Sequence, residues 1–529
     1  MAEPITTADG LVAAVVAARD RGAEARSEVV AAVSTDLVEQ LLHTQLDAGT
    51  APVVATGIAA SPGAGTGQVY FSSAAAIDAL DRGELIVLAR PETTPADETA
   101  MRMAEGIVTA RGGLTSHAAV VARGLGIPAV CGAEAVAFAD GVMRIGDTTI
   151  EQGALVTVDG GAGELLLGAG TVSAVDPPDE LDEVLSWADT IRGDRIAVRA
   201  NADTGADAAR ARAFGADGLG LCRTEHMFLG DRLPLIQRYL LAHDESGQQQ
   251  ALDELFEVQR HDLGAVLAAM DGLPVTVRLL DPPLHEFLPP LEELVVSDAQ
   301  GTLDDAGRAL LASARQWHEQ NPMIGTRGVR LAILRPELYR TQVRALLAAA
   351  ADRRAEGEDP HVEIMVPFVV DRAELAHVRQ WIESEVEAVG LDHVSVGAMV
   401  ETPRAALLAG SVAAEADFVS LGTNDLTQTT YAFSRDDIEA RLVRAYVDAG
   451  ILTSNPFVTI DQAGVGSLIE GALFAGRAAR PGLEVGVCGE HGGDPESIEY
   501  FVAVGIDYVS CSPFRVPIAR LAAAQAILG

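Results

Sequence analysis

The chain contains no lysine. Every fixed cation in its 529 residues is therefore an arginine, and 38 of them face 76 acidic residues, for a formal charge of −38 at pH 7. An acidic surface of this kind repels phosphates, which excludes general binding to nucleic acid or to an anionic membrane. Any anionic ligand must be captured by a local cluster of arginines. Cysteine is equally scarce. Cys131, Cys222, Cys488 and Cys511 are widely separated and form no CxxC pair. Neither a disulfide framework nor a zinc site is expected, and a reducing cytoplasm with free thiols is. No run of about 18 apolar residues is free of charges and breakers, so no membrane span is predicted. The opening MAEPITTADGLVAAVV lacks the basic n-region of a secretory signal.

Apolar residues, by contrast, are plentiful at 48%, and a chain of this length predicts two or three domains. Residues 1–50 alternate Ala, Val and Leu with charged residues at helical spacing and end in DLVEQLLHTQLD. This predicts a helical connector with too little apolar surface for a core of its own. From 51 the texture changes to short apolar runs punctuated by glycine, APVVATGIAASPGAGTGQVYF, ELIVLARPETTP and TVDGGAGEL. A compact mixed α/β domain over 51–169 is predicted. The acidic stretch 170–193, TVSAVDPPDELDEVLSWADTIRGD with an inner Pro pair, predicts a linker helix.

After 194 the pattern becomes regular. Eight short apolar segments alternate with helical stretches: RIAVRANAD, GLGLCRTE, PVTVRLLD, VEIMVPFV, VSVGAMVET, FVSLGTND, EVGVCGE and YVSCSP. Near-continuous apolar strands alternating with helices predict a (β/α)8 barrel over 194–529, with an open doubly wound sheet as the alternative. In a barrel of this type the active site lies where the strands end. Arg223, Thr224 and Glu225 follow the second strand, and Arg278 and Asp281 close the third. Glu401 ends the fifth, Asn424 and Asp425 the sixth, and Cys488 with Glu490 and His491 the seventh. Arg327 and Arg330 fall in NPMIGTRGVRLA, after the third strand. Arginines converging on one mouth suit a phosphate plus a carboxylate, held by bidentate forks. Glu401 and Asp425 suit a hard divalent cation such as Mg2+, which takes few carboxylates plus substrate oxygens.

One histidine stands apart. In RGGLTSHAAVVARGLGIP, residues 111–128, His117 follows two glycines and two hydroxyls and opens an Ala/Val-rich helical run. A neutral imidazole is a nucleophile near pH 7. A phosphoryl group on it would sit at a helix N-terminus. Gly112 and Gly113 allow close backbone approach. Thr115 and Ser116 are placed to cap the helix or to donate to the phosphate, and Arg123 is placed either to reach back or to serve at the surface. His43, His226, His285 and His491 are expected to make local hydrogen bonds.

The strings GLGLCRTEHMF, VTVRLLDPPLHEF, NPMIGTRGVR, VGAMVETPRAAL, SLGTNDLTQTTYAFSRDD, VCGEHGGDP and YVSCSPFRVPIARLAAAQA resemble the phosphoenolpyruvate-binding barrel of pyruvate, phosphate dikinases. These belong to the wider family of phosphoenolpyruvate-utilising enzymes, with phosphoenolpyruvate synthase and enzyme I of the sugar phosphotransferase system. GIAASPGAGTG, GGLTSHAAVVARGLGIPAVCG and TVDGGAGEL resemble the family's swivelling phosphohistidine domain. The resemblance implies reversible phosphoryl transfer between phosphoenolpyruvate and His117. It also implies that Arg223, Arg278 and Arg327 grip the phosphate and enolate oxygen. Glu401 and Asp425 would bind Mg2+, and Gly422, Thr423 and Asn424 would help hold the substrate. Cys488 would be the acid that protonates the enolate carbon to give pyruvate, which a thiol of suitable pKa can do.

Full-length dikinases and synthases also carry a nucleotide-grasp domain ahead of the phosphohistidine domain. This sequence shows no Gly-rich phosphate loop with a lysine, so it is not expected to bind ATP unaided. Three readings remain open. The chain is the pyruvate side of a split dikinase partnered by a separate ATP-binding chain. Or it is an enzyme I-like phosphotransferase that passes phosphate to a phosphocarrier protein, although no inserted carrier-binding helical domain is seen. Or it is a phosphoenolpyruvate sensor without turnover, against which stand His117, Glu401, Asp425 and Cys488. The resemblance further implies a homodimer formed through the barrel.

Overall fold

The computed structural model describes residues 3–47, 51–94, 97–113, 116–139, 141–173, 177–228, 232–242, 244–391 and 394–529. Two compact units emerge from the chain. The first joins Met1–Val198 to Tyr431–Gln462 and Glu490–Gly529, and the second joins Arg199–Thr430 to Ala463–Gly489.

In the first unit the N-terminal helices Ala8–Ala18, Ala23–Ala32 and Thr35–Leu42 do not stand alone. Their Leu11, Val15, Val30 and Val38 share one cluster with Leu181, Val184, Leu185 and Trp187 of helix Asp179–Arg192, and with Ile518 and Leu521 of the C-terminal helix Val516–Leu528. Each such fully buried side chain stabilises by about 1.5–3 kcal/mol. The shortage of core read from residues 1–50 is met by helices from far along the chain. The helix expected inside 170–193 runs from Asp179 to Arg192, and its apolar face is part of this core.

The mixed domain of this unit has an eight-stranded sheet and a small three-stranded one. Four neighbouring strands of the large sheet, Ala64–Tyr70, Ile86–Arg90, Gly106–Thr109 and Ala129–Cys131, run parallel. Helix His117–Leu125 forms the crossover between the last two. Where the chain enters and leaves this domain, Gln45–Leu46 pairs antiparallel with Val172–Ser173.

The eight predicted strands are all present. They are β1 (Ala197–Asn201), β2 (Leu219–Arg223), β3 (Pro274–Arg278), β4 (His361–Val366), β5 (Ser395–Val400), β6 (Phe418–Leu421), β7 (Glu484–Val487) and β8 (Tyr508–Cys511). They close into a barrel in chain order, which disposes of the open-sheet alternative. The long gaps on either side of β3 hold additional helices, among them Leu233–Leu241, Glu245–Ala269, Asp305–Trp317, Gly328–Leu334 and Pro336–Ala355. The amino-terminal half of the barrel interior is not purely apolar. Arg199 donates to Glu363 (2.9 Å) and Glu484 (2.7 Å), and Thr276 donates to Glu363 (2.6 Å). At that end of a barrel such a network serves stability.

Candidate active site

At the carboxyl ends of the strands the second unit gathers the expected arginines, and each already has a carboxylate. The Arg223 backbone N–H donates to Asp203 Oδ1 (2.7 Å) and its Nη1 to Oδ2 (3.4 Å), which His226 Nε2 also approaches (3.4 Å). Arg278, at the end of β3, pairs with Glu225 and with Asp281 (3.2 Å). Arg327 forks onto Asp281 (2.5 Å) and also reaches Asp425 (3.0 Å). Three guanidinium groups therefore meet five carboxylates, counting Glu401. Burial opposes the charge on Arg278, but Glu225, Asp281 and Glu401 outweigh it and hold its pKa above the ordinary arginine value. Burial likewise opposes ionisation of Asp281, and Arg327 and Arg278 overcome it, so this carboxyl stays below its usual range. Removing one member leaves the others buried and uncompensated. Arg278→Met is expected to cost about 3–5 kcal/mol, read as a lower urea midpoint with the m-value unchanged.

Glu401 differs from these carboxylates: among the described residues no guanidinium forms an ion pair with it. It is 1% exposed, and its Oε1 accepts the Phe368 backbone N–H at 2.6 Å. Burial, then the charges of Asp281 and Asp425, push its pKa well above the ordinary glutamate value. Phe368 itself has φ +57°, a left-handed conformation costly for a bulky residue and typical of functional sites. It aims its N–H at Glu401 while its ring lies under Arg327 (4.4 Å) and Arg330 (4.7 Å). Gly422 is required on the other side, since a Cβ there would lie 2.7 Å from Glu401 Oε2.

These residues fit a divalent cation. An excess of buried carboxylate over guanidinium, with Glu401 and Asp425 repelling each other, is what Mg2+ relieves using only one or two protein carboxylates. Among the described residues no group of three or more His, Cys, Asp or Glu is arranged to hold a metal, so substrate or water oxygens would complete the shell.

Thr423, Asn424 and Asp425 form the first turn of helix Thr423–Tyr431, directly after β6, where the helix dipole favours an anion. Thr423 packs on Gly489, whose Cβ would come within 2.0 Å of the threonine Oγ1. Gly489 follows Cys488, whose carbonyl accepts from Asn201 Nδ2 (3.2 Å) and whose N–H donates to the Leu421 carbonyl (3.2 Å). Burial raises the Cys488 thiol to about 11, with Ser420, Arg278 and Arg223 acting against it and Glu401 with it. At neutral pH the thiol is protonated; its Sγ faces the Leu421 carbonyl at 3.7 Å, and it packs with Leu221, Met365, Met399 and Phe418. Cys131, Cys222 and Cys511 are also buried, and burial raises their pKa values too.

In the first unit His117 is the first residue of its helix. The parallel strands Ile86–Arg90 and Gly106–Thr109 end side by side, so Thr93, beyond the first, meets His117, beyond the second. Thr93 Oγ1 lies 3.0 Å from His117 Nδ1. Where Nδ1–H donates to this hydroxyl, the ring lone pair lies on Nε2. Thr93→Val should remove a bias of about 1 kcal/mol, roughly fivefold in the ring tautomer ratio, visible in imidazole 15N shifts.

Several expectations fail here. Ser116 does not cap the helix with its side chain; its hydroxyl donates back to the Gly113 carbonyl at 2.8 Å. Arg123 is not the surface residue that one reading made it. It is 13% exposed, donates to the Ala60 carbonyl (2.8 Å) and faces Glu490 (3.8 Å). Arg330 spends its Nη1 on the Ile324 and Gly325 carbonyls (2.7 and 2.9 Å). His491, by contrast, makes the hydrogen bond expected of it: it is fully buried, with Nε2 donating to the Pro456 carbonyl at 2.9 Å. Thr115 lies outside the described residues. Thr93, Asp203 and Phe368 drew no notice in the sequence. Asp203 and Phe368, each two residues beyond the end of a barrel strand (β1 and β4), had a positional signal.

Two family models match the chain: "PEP-utilising enzyme, PEP-binding domain" over residues 180–527 and "PEP-utilising enzyme, mobile domain" over 83–163. Similar curated proteins include a pyruvate, phosphate dikinase of Rhizobium meliloti (strain 1021), 46% identical over 521 residues, covering 96% of this chain and 57% of that protein. Others are pyruvate, phosphate dikinase 1, chloroplastic, of Arabidopsis thaliana (45%, covering 99% and 55%) and the chloroplastic enzyme of Flaveria trinervia (48%, covering 94% and 53%). The chain spans about half the length of the curated relatives it matches. With the substrate-binding barrel and the mobile histidine domain both matched in order, this chain belongs to the family of PEP-utilising enzymes.

Proposed function

We propose that the chain moves a phosphoryl group reversibly between phosphoenolpyruvate and His117, as the pyruvate side of a pyruvate, phosphate dikinase. The observation that carries this is the gathering of Arg223, Arg278, Arg327, Glu401 and Asp425 where the strands of one barrel end, with the buried Cys488 following β7. Arg278 and Arg327 exchange carboxylate partners for the phosphate and the carboxylate of the substrate, which bidentate forks accept equally well. Glu401 and Asp425 would hold Mg2+, which when bound would supply positive charge that stabilises the phosphoryl and enolate oxygens. His117 Nε2 attacks phosphorus, the P–O bond breaks, and its electron pair stays on the enolate oxygen. Cys488 Sγ–H then delivers its proton to the methylene carbon, giving pyruvate and a thiolate that water reprotonates. Gly422, Thr423 and Asn424 position the substrate at the helix N-terminus.

We take 51–169 as the phosphohistidine domain, 170–193 as its linker and 194–529 as the barrel domain. The second phosphoryl partner is a nucleotide-binding part outside this sequence, with a phosphocarrier protein as the alternative. Under this reading the protein is cytoplasmic, in keeping with four buried free thiols and with no described helix long and apolar enough to cross a membrane. It is also a homodimer through the barrel, for which the exposed Phe474 (81%) and Leu407 (72%) supply apolar surface. Phe474→Glu should then convert dimer to monomer in light scattering.

The test is incubation with Mg2+ and 32P-labelled phosphoenolpyruvate. Acid-labile label on the protein with pyruvate released is expected, and no label would refute transfer. Offering the labelled protein AMP with pyrophosphate and a nucleotide-binding part, or a phosphocarrier protein, separates the two partners.

A further inference from the structure

Within the second unit, away from every residue assigned above, lies a cavity of about 320 Å³, at the small end of ligand pockets of ~300–1,000 Å³. Its walls come from the helices Leu233–Leu241, Glu245–Ala269 and Asp305–Trp317, together with Arg335. Arg335 links helix Gly328–Leu334 to helix Pro336–Ala355, and the following proline restricts its backbone. Its guanidinium stacks on Trp317 at 5.1 Å. Among the described residues no carboxylate forms an ion pair with it. Glu337, two residues on, turns instead to Arg344 (3.2 Å) and Arg340 (3.9 Å).

In a chain where acids outnumber arginines two to one, a half-buried guanidinium left without an acid is out of place. Stacking occupies its face and leaves the N–H edge for a planar anion. Ser313, 7% exposed, adds a buried hydroxyl with no hydrogen-bond partner among the described residues. Tyr239, 5% exposed, lines the same cavity, and burial raises its pKa, so it stays a neutral donor.

We propose that this cavity is a second ligand site, for a small organic anion whose carboxylate or phosphate head is held by the edge of Arg335. The body of the ligand lies against Trp317 and Leu240, and the hydroxyls of Tyr239 and Ser313 bond its polar atoms. Size excludes a nucleotide and favours a single-ring or short-chain acid. The site is independent of the barrel-mouth chemistry, because none of its lining residues belongs to that set.

The chain has three tryptophans, so a full-length Trp187→Phe, Trp381→Phe variant leaves Trp317 as the only indole reporter. Benzoate and phenyl phosphate are titrated separately, and the stronger of the two identifies the head group. A saturable change in Trp317 emission is expected with at least one, weakened at least about tenfold by Arg335→Gln, which loses the charged fork. The same probe should raise the melting temperature of the wild-type protein and not that of Arg335→Gln. Circular dichroism establishes that the variant is folded, and Arg335→Lys, which keeps the charge without the fork, should fall between the two. No saturable response to either probe would overturn the proposal. So would equal responses in the wild type and in a folded Arg335→Gln.

Discussion

His117→Ala should abolish phosphoryl labelling from phosphoenolpyruvate while leaving the barrel able to enolise pyruvate. The first half follows from the role proposed for the ring: with Nδ1 beside Thr93, Nε2 is the proposed nucleophile, and alanine has none. Its described neighbours are already engaged elsewhere. Ser116 is committed to the Gly113 carbonyl, and Arg123 to Ala60. The second half follows from the composition of the other compact unit, which contains Arg278, Arg327, Glu401, Asp425 and Cys488 but not His117. Exchange of pyruvate methyl protons with deuterated water, with Mg2+ present, should therefore continue near the wild-type rate. Label at wild-type level in His117→Ala would remove the histidine from the mechanism. Loss of both readouts would point to a structural role for His117.

Cys488→Ala should give the complementary result. A positioned acid contributes about 10²–10⁴-fold to a proton transfer, and losses of that order are expected in both methyl exchange and pyruvate release. The fold should hold, because removing one small buried group leaves a modest cavity. The pH profile has a definite sign. With the thiol raised to about 11 by burial, formation of pyruvate should be flat through neutral pH and fall only as the thiol ionises in strong alkali. The reverse direction needs the thiolate and should rise with pH over the same range. A Cys488→Ala enzyme with an unchanged exchange rate would show that the proton comes from elsewhere.

Much of the architecture was legible from the strand segments. Each of the eight ended close to its predicted polar cluster, because parallel barrel strands are buried on both faces and read as apolar runs. The motif strings also placed His117 at a helix start and Arg278 at a strand end. The failures share a cause. Arg123 read as a surface or phosphate-binding residue because a helical arginine is usually exposed. Its actual partners are Ala60 and Glu490, 63 and several hundred residues away in sequence. Arg330 looked like a twin of Arg327, three residues earlier. Both guanidinium groups lie over the Phe368 ring, but only Arg327 takes carboxylates, while Arg330 donates to carbonyls.

By itself the sequence determined the fold class and the family, and it supplied the candidate reacting groups. These depend on residue types and on spacings along one strand or helix. The tertiary structure alone decided that the three mouth arginines are already neutralised by Asp203, Glu225, Asp281 and Asp425, that Glu401 takes a backbone N–H in place of a guanidinium, and that Thr93 orients the imidazole. It also decided that Phe368 takes up a left-handed backbone to aim its N–H at Glu401. Charge balance and hydrogen bonding depend on which distant segments meet, and burial turns those meetings into pKa shifts. Neither the meeting nor the burial is written in local order along the chain.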